Sequence, residues 1–410
     1  MSTSNPIPAA NGTLIRWLTY LMFMMFGMTT DAVGEIIPVI IEEFNLSLTA
    51  ASSFHYASMA AIGLSGLLLG FLADRIGRKA TIIIGLAVFA IACWLFMVAS
   101  SFYSFVALLV FCGVAIGIFK TGALAMVGDI SSSTRAHSSN MNMVEGFFGV
   151  GAIVGPAVVA YLLQNGMSWK YLYLVAGVIC SALIIAAALA RYPQTIKTCS
   201  EPVSFKQTLP MMKNPYALGF SFAIFLYVAT EVAIYVWMPT LFRGYDGEYG
   251  WMATYALTAF FIVRAAGRFL GAWVLRYFDW THVMALFSGC IFACYLGAMV
   301  LGVDFAIFLL PLSGVFMSMM YPTLNSKGIS CFPKSQHGTV AGVILFFTAL
   351  SAAVSPLLMG AVSDWFGHVR YGFYFAAFMA GLLFLGMVLN LIRNPAAKQL
   401  NAQTLQQFSS

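Results

Sequence analysis

The chain has 410 residues, of which 61% are hydrophobic and only 8% are charged, and its mean hydropathy is +0.89. Soluble proteins carry about 25% charged residues, so this composition excludes a soluble enzyme, a nucleic-acid-binding protein and a disordered chain as the main interpretation. The excess of 20 Lys and Arg over 14 Asp and Glu is typical of a membrane protein, where basic loops set the orientation.

Apolar segments long enough to span a bilayer, which takes about 20 residues each, follow one another along the whole chain. In the first half we predict spans 1 to 6 at residues 17–41, 51–73, 80–99, 103–127, 141–163 and 170–191. In the second half we predict spans 7 to 12 at residues 216–240, 251–275, 282–301, 304–327, 339–362 and 371–392. The polar N-terminus lacks the apolar core of a signal peptide, so we expect span 1 to be retained.

A polar stretch near the middle of the chain divides these spans into two sets of six. We predict an N-terminal half at 1–191, a cytosolic linker at 192–215, a C-terminal half at 216–395 and a cytosolic tail at 396–410. With the N-terminus inside, fifteen Lys and Arg residues fall on the inner side and three on the outer side. This bias predicts a multi-pass protein of the bacterial inner membrane with both termini in the cytoplasm.

The loop between spans 2 and 3 carries the sequence GFLADRIGRK at residues 70–79. It resembles the signature of the major facilitator superfamily, in which the same loop follows span 2. The resemblance implies an all-α fold of twelve transmembrane helices in two six-helix halves around a midplane site. Gly77 is suited to a tight turn, since glycine adopts positive φ readily. We expect the charges of the loop to gate one conformer together with a cation of span 8, the set being Asp74, Arg75, Arg78 and Arg268.

Further motifs are similar to those of the fucose–proton symporter family, which also includes glucose and N-acetylglucosamine permeases. They lie in spans 5, 7, 8, 10 and 11, at residues 142–156, 227–240, 266–271, 316–326 and 355–367. The resemblance implies proton-coupled sugar uptake by alternating access. Span 4 departs from the family, because Lys120 and Leu124 occupy the positions where its members typically carry an acidic residue and an Asn.

Charged residues inside the spans are the candidates for function, because a charge at bilayer depth costs about 2.5–3.5 kcal/mol on insertion scales. The resemblance implies that spans 1, 4, 7 and 10 line the central cavity. Asp31 and Glu35 are four residues apart, so we expect them on one helix face, where each carboxylate favours protonation of the other. Together with Glu145 they are the predicted proton-coupling residues, although Glu35 could instead be solvated and Glu145 could belong to a gate.

Two cations leave alternatives open. Lys120 lies about 10 Å from the predicted cytosolic end of span 4, too deep for its side chain to reach the interface easily. It either binds an anionic group of the substrate or forms a fixed ion pair with Asp31 or Glu145. Arg264 of span 8 either holds a carboxylate or phosphate bidentately or neutralises Glu231.

Glu231 lies in the middle of span 7 among aromatic residues. A carboxylate can accept hydrogen bonds from the hydroxyls of a polyol, and an aromatic ring can stack on its C–H face. We therefore predict a substrate site of Lys120, Glu231, Tyr235, Trp237, Arg264, Tyr321 and Asn325. Packing against neighbouring helices is the alternative for Glu231, Tyr321 and Asn325.

These features predict a secondary transporter rather than an enzyme, since the sequence shows no nucleophile–base pair and no metal-ligand spacing. The favoured function is proton-coupled uptake of a sugar, and the two cations favour an acidic derivative such as a uronate. We expect small-molecule substrate, protons and lipid as partners, no nucleic acid, no cofactor besides the proton, and a monomer. The alternative is a proton antiporter that exports drugs, because span 5 also contains part of a drug–proton antiporter motif; a transporter-like sensor without flux is a third hypothesis.

Overall fold

The computed structural model describes residues 9–69, 72–131, 134–193, 211–333, 336–397 and 399–400. Within these ranges the secondary structure is helical throughout. Of these helices, 11 are long and apolar enough to cross a membrane. The helix Ser53–Leu69, of 17 residues, supplies the span predicted at 51–73. The fold therefore agrees with the predicted all-helical architecture of twelve spans.

The helix bounds follow the predicted spans closely. Spans 1 to 6 are Ala9–Thr30 with Val33–Phe44, Ser53–Leu69 with Leu72–Arg75, Arg78–Leu95, Phe102–Asp129, Thr134–Gln164 and Lys170–Leu189. Spans 7 to 9 are Pro215–Val232 with the π-helix Ala233–Trp237 and Met238–Leu241, then Ala256–Tyr277 and Trp280–Leu301. Spans 10 to 12 are Val303–Met317 with Met320–Ser330, His337–Phe366 and Arg370–Arg393. The short helices Leu48–Ala51 and Gly250–Thr254 precede spans 2 and 8.

The chain forms two compact units. The first contains Met1–Ile36 and Ser53–Ser200, and the second contains Ile37–Ser52 and Glu201–Ser410. The sequence predicts that residues 37–52 belong to the N-terminal half, whereas the structure groups them with the second unit. The predicted linker at 192–215 and the tail at 396–410 lie largely outside the described residues.

In the first unit, glycines bring spans 1 and 5 into close contact. A Cβ on Gly27 would meet the Phe148 carbonyl oxygen, and a Cβ on Gly151 would lie 2.7 Å from the Met28 amide nitrogen. Gly155 meets the same turn of span 1. Since there is little hydrophobic driving force between helices in lipid, this close backbone approach supplies the packing that holds the two spans together.

The two units contain the same helix-end cap, as expected for duplicated halves. Lys170, the first residue of span 6, donates a 2.7 Å hydrogen bond from Nζ to the Ala99 carbonyl oxygen after span 3. Arg370, the first residue of span 12, donates to the Met299 carbonyl oxygen near the end of span 9. Each cation satisfies a carbonyl that a helix C-terminus leaves open.

Several helix ends carry capping residues that their sequences encode. Ser101 and Ser104 form a capping box at the start of span 4. Asn214 caps span 7, where its Oδ1 accepts the Tyr216 N–H at 2.9 Å and proline occupies the first helical position. Gly367, at φ 79°, ends span 11 in the left-handed region that favours glycine.

Candidate functional site

Span 1 is interrupted at the first acidic candidate. The predicted span at 17–41 is present as one apolar span, Gly12–Phe44, but its α-helix ends at Thr30 and resumes at Val33. Just before the break, the Thr29 hydroxyl lies 3.3 and 3.1 Å from the carbonyl oxygens of Met25 and Phe26, and it competes there with the backbone ladder. Asp31 lies half-buried in the break itself. Discontinuous transmembrane helices are typical of transporter binding sites.

Glu35 follows the break and is buried, with 8% of its surface exposed. The alternative that Glu35 is simply solvated is therefore wrong. Because the helix restarts at Val33, regular helical spacing alone no longer places Asp31 and Glu35 on one face. Asp31 belongs to the break, and Glu35 belongs to the helix that follows it.

Lys120 lies in the last third of span 4, whose helix is continuous from Phe102 to Asp129. The side chain is half-buried, and Nζ lies 5.1 Å from the centre of the Phe148 ring. Within the described ranges, Lys120 has no carboxylate oxygen inside the 4.0 Å distance of an ion pair. The charges of Glu145 and, more weakly, Asp31 act on it from farther away. The fixed ion pair predicted as one alternative is therefore not formed.

Phe148 and Glu145 come from the same face of span 5. They are three residues apart on an unbroken helix, which makes them neighbours on its surface. Glu145 is exposed and Phe148 is half-buried. The Phe148 ring faces the ammonium of Lys120, where a cation–π contact compensates part of the charge without neutralising it.

In the second unit, Glu231 and Arg264 form an ion pair. Arg264 Nη2 lies 2.5 Å from Glu231 Oε1, and their side chains are 24% and 9% exposed. Of the two alternatives for Arg264, the structure therefore shows the neutralisation of Glu231. The pair joins span 7 to span 8 in a mostly buried position, where removal of one charge would leave the other uncompensated.

A tyrosine hydroxyl completes the environment of Glu231. Tyr227, one turn earlier on span 7 and fully buried, donates to Glu231 Oε1 at 2.7 Å. The same hydroxyl lies 3.0 Å from the carbonyl oxygen of Met317, at the end of the first helix of span 10. On span 9, the Tyr295 hydroxyl donates to the Thr230 carbonyl oxygen. Span 7 is thereby fixed to spans 9 and 10 on either side of the carboxylate.

The stretch after Glu231 is a π-helix, a form that frequently occurs at functional sites. Tyr235 lies in it and is half-buried. Trp237 ends it and has only 1% of its surface exposed, and its indole N–H donates to the Pro356 carbonyl oxygen of span 11 at 3.3 Å. Its ring is enclosed by protein and packs span 7 against span 11, and the predicted stacking of Trp237 on a substrate stays a prediction.

Span 10 is interrupted beside its predicted site residues. Its first helix ends at Met317 and its second begins at Met320. Tyr321 is the second residue of this second helix and is half-buried. Its ring centre lies 6.5 Å from that of Tyr227. Asn325 lies one turn farther along and is also half-buried. These two side chains thus share the helix that begins at the break.

The signature loop between spans 2 and 3 ties helices of the first unit together. Gly77 has φ 96°, which confirms the predicted glycine turn. Arg78 is buried and its Nε lies 3.2 Å from Oδ2 of Asp129, the last residue of span 4. Lys79 donates to the carbonyl oxygens of Ala188 and Ala190 at 2.7 and 2.9 Å.

Lys79 also meets an aromatic ring after span 6. Its ammonium lies 5.6 Å from the centre of the Tyr192 ring, and burial raises the pKa of Tyr192 to about 12, so this ring is a neutral phenol. Of the remaining gating candidates, Arg75 and, on span 8, Arg268 are exposed. The side chain of Asp74 lies outside the described ones, so its predicted gating role stays a prediction.

Sequence reasoning did not select Phe148, Tyr227 or Asp129 as site residues. Asp129 carries a signal, since an acidic residue directly after an apolar span is a natural partner for the arginines of the signature loop. Tyr227 is found one turn from Glu231 by helical spacing alone. Phe148 has no such signal among 36 phenylalanines.

The model of the Major Facilitator Superfamily matches residues 19–356 of this chain. The chain belongs to this superfamily. It is accordingly a multi-pass membrane transporter of small molecules and not an enzyme. The comparisons with individual proteins extend over most of the chain.

Among curated proteins, the chain is 23% identical over 323 residues to a TsgA homolog of Citrobacter koseri, covering 78% of this chain and 80% of that protein. It is 22% identical over 283 residues to TsgA of Escherichia coli O157:H7, covering 68% and 70%. Among solved structures, it is similar to the fucose–proton symporter FucP in its outward conformation, with TM-score 0.62, 20% identity and coverage of 92% and 99%. The nucleoside transporter NupG gives TM-score 0.72 at 13% identity, covering 92% and 98%. At these identities the solved structures establish the fold alone.

Proposed function

We propose that this transporter takes up a sugar, and specifically an acidic sugar derivative, together with protons by alternating access. The observation that carries this proposal is Lys120, a half-buried cation in span 4 without an ion-pair partner within 4.0 Å among the described residues. A buried charge of this kind is expensive unless a partner completes it. A substrate carboxylate is such a partner.

The contrast with Arg264 supports the assignment of the anion to Lys120. Arg264 already has a carboxylate partner in Glu231, whereas Lys120 faces the Phe148 ring. A cation–π contact is worth about 0.5–2 kcal/mol, less than a charge-assisted hydrogen bond to a carboxylate supplies in a dry site. Binding of an anionic group at Lys120 therefore replaces no existing ion pair.

Proton coupling is the second part of the proposal. Three acidic residues of the first unit support it: Asp31 in the break of span 1, the buried Glu35, and Glu145. A carboxylate near Lys120 can exchange a proton when an anion arrives at the same cation. The similar solved structures include symporters described as a fucose–proton and a D-xylose–proton symporter, which fits a coupled mechanism.

We further propose the bacterial inner membrane as the location, with both termini in the cytoplasm, and a monomer as the working form. The orientation is supported by the excess of basic residues in the loops predicted to face inward. Alkaline phosphatase and green fluorescent protein fusions after residue 393 test the orientation. Fluorescence of the second fusion with an inactive first fusion is the expected result, and the reverse pattern contradicts it.

The function is tested by uptake into proteoliposomes with an imposed inward proton gradient. The probes are D-glucuronate, D-galacturonate, D-glucose and N-acetylglucosamine, with Lys120→Gln as the variant and the exposed Lys213→Gln as the control of equal charge change. We expect gradient-driven uptake of a uronate that falls at least tenfold in Lys120→Gln and is unchanged in Lys213→Gln. Uptake of the neutral sugars alone, equal in both variants, contradicts the anion site.

Export of hydrophobic compounds is distinguished in the same preparation. If no sugar enters under an inward gradient and a lipophilic cation is instead expelled in exchange for protons, the proposal of sugar uptake is wrong. In cells, export is distinguished from uptake by the tolerance of an efflux-deficient host to several lipophilic cations, measured with and without expression of this transporter. We expect no change in tolerance.

A further inference from the structure

Residues Ile37–Ser52 form a segment that leaves one unit for the other. The chain passes from the first unit to the second between Ile36 and Ile37, inside the helix Val33–Phe44, and returns at Ser53. We name Ile37–Ser52 the strap. It comprises the end of span 1, the short helix Leu48–Ala51 and the turn between them.

The strap is held by the last turn of span 11. Asp364 Oδ1 accepts the N–H of Leu48 at 2.8 Å, and Oδ2 accepts the N–H of Thr49 at 2.8 Å and also the Thr49 hydroxyl. One turn earlier, a Cβ on Gly360 would lie 2.9 Å from the Leu48 carbonyl oxygen and 3.0 Å from the Thr49 Cα. One carboxylate thus receives three donors, and the backbone of the strap lies directly on span 11.

A second contact holds the helical part of the strap. Arg243 donates from Nε to Oε1 of Glu42 at 2.8 Å and from Nη2 to Oε2 at 2.7 Å. The two side chains are 44% and 57% exposed. Exposed pairs contribute little because water competes for both partners. Asp364 is exposed as well, so the anchors of the strap are of the kind that open and close readily.

The backbone before and within the strap contains points at which it can bend. Span 1 is broken between Thr30 and Val33, and Pro38 lacks the N–H that would bond the carbonyl of Gly34. Asn45 has φ 54° and ends the helix, with the Leu46 N–H bonded to the Ile41 carbonyl oxygen at 3.1 Å. The strap therefore follows an interrupted helix and itself contains two positions, Pro38 and Asn45, at which the regular helix is weakened or ends.

We propose that the strap is a releasable latch that docks on the second unit, with Asp364 as its main anchor and the Glu42–Arg243 pair as its second. Release frees residues 37–52 from span 11 without unfolding either helix. Since Asp31 and Glu35 immediately precede the strap along span 1, its docking also determines how the helix after the break is held. This inference rests on the alternating-access part of the proposed function and is independent of the substrate.

The test measures the distance between the strap and the rest of the second unit by pulsed electron paramagnetic resonance. Spin labels are placed at Glu43→Cys on the strap and Val300→Cys at the end of span 9, both exposed positions. Asp364→Asn keeps the size of the side chain but replaces one acceptor oxygen with a donor. The control is Asp304→Asn, which neutralises a carboxylate that accepts a 2.7 Å hydrogen bond from Tyr245 in the same unit, outside the strap.

We expect Asp364→Asn to increase the released population relative to the docked one by about five- to tenfold, the effect of losing one charge-assisted anchor at an exposed position. Asp304→Asn should leave the distance distribution of the parent protein unchanged. A distribution in Asp364→Asn identical to that of the parent overturns the proposal. Because no substrate is needed, this result is separate from any failure to transport a sugar.

If Asp364→Asn does not fold, exchanging the charges of Glu42 and Arg243 tests the latch independently. Glu42→Arg alone places two cations together and should raise the released population, and Glu42→Arg with Arg243→Glu should restore the docked one. If the single and double variants give the same distribution as the parent, the second anchor does not hold the strap and the latch is refuted.

Discussion

The ion pair between Glu231 and Arg264 provides the sharpest energetic prediction. Arg264→Met removes the guanidinium and keeps most of the aliphatic stem. It leaves Glu231, 7% exposed, with the Tyr227 hydroxyl as the remaining donor among the described residues. Breaking a buried pair by removing one partner costs about 3–5 kcal/mol. Because the Arg264 side chain is 24% exposed and Tyr227 still donates, we expect the lower end, about 3 kcal/mol.

The double variant Glu231→Gln/Arg264→Met removes both charges and should be more stable than Arg264→Met alone. A coupling energy of about 2 kcal/mol is expected for two groups in direct contact. The assay is the apparent melting temperature in detergent, where about 2–4 °C corresponds to 1 kcal/mol for a unit of this size. Arg264→Met should therefore melt about 6–12 °C below the parent protein.

The control is Arg268→Met, one turn farther along span 8 and exposed. It should lower the melting temperature by no more than about 2 °C, as for a surface substitution. The reasoning is refuted if Arg264→Met and Arg268→Met are equally stable. It is also refuted if the effects of Glu231→Gln and Arg264→Met add in the double variant, since additivity means that the two charges are not coupled.

Three further predictions concern the first unit. Phe148→Leu removes the ring beside Lys120 and should weaken uronate binding about two- to fivefold in a titration, whereas Phe148→Tyr, which keeps a cation–π partner, should bind as the parent does. Gly151→Ala forces spans 1 and 5 apart and should destabilise the protein by about 1–3 kcal/mol in thermal denaturation. Gly149→Ala, with no heavy atom within 4 Å of its Cβ, is the matched control and should be neutral or slightly stabilising. Asp129→Asn removes the charge that lies 3.2 Å from the buried Arg78 and should lower the melting temperature by several degrees, and equal stability to the parent contradicts the structural role of this pair.

The span pattern was predictable because bilayer thickness fixes how long an apolar segment must be. The predicted span at 170–191 and the observed helix Lys170–Leu189 agree within two residues, and span 12 agrees similarly. The breaks in spans 1 and 10 were not predictable from composition. Local contacts such as those of the Thr29 hydroxyl with the Met25 and Phe26 carbonyl oxygens, just before the break in span 1, are not registered by periodicity.

The candidate site was predictable where a charge sits at bilayer depth. Lys120, Glu231 and Arg264 were found because burying such groups demands a partner or a cavity. The choice between partners was not predictable, since it depends on how side chains of different spans meet. Trp237 illustrates the limit: proximity to Glu231 along the chain suggested stacking on a substrate, whereas its buried ring packs against span 11.

Lys120 is proposed as the anion anchor of the substrate site. The most direct measurement is the thermal shift of the purified protein with D-glucuronate and with N-acetylglucosamine, in the parent protein and in Lys120→Gln. Ligand binding raises the apparent melting temperature by mass action. A shift with glucuronate that disappears in Lys120→Gln is the predicted result, whereas a shift with N-acetylglucosamine alone that persists in Lys120→Gln contradicts the claim.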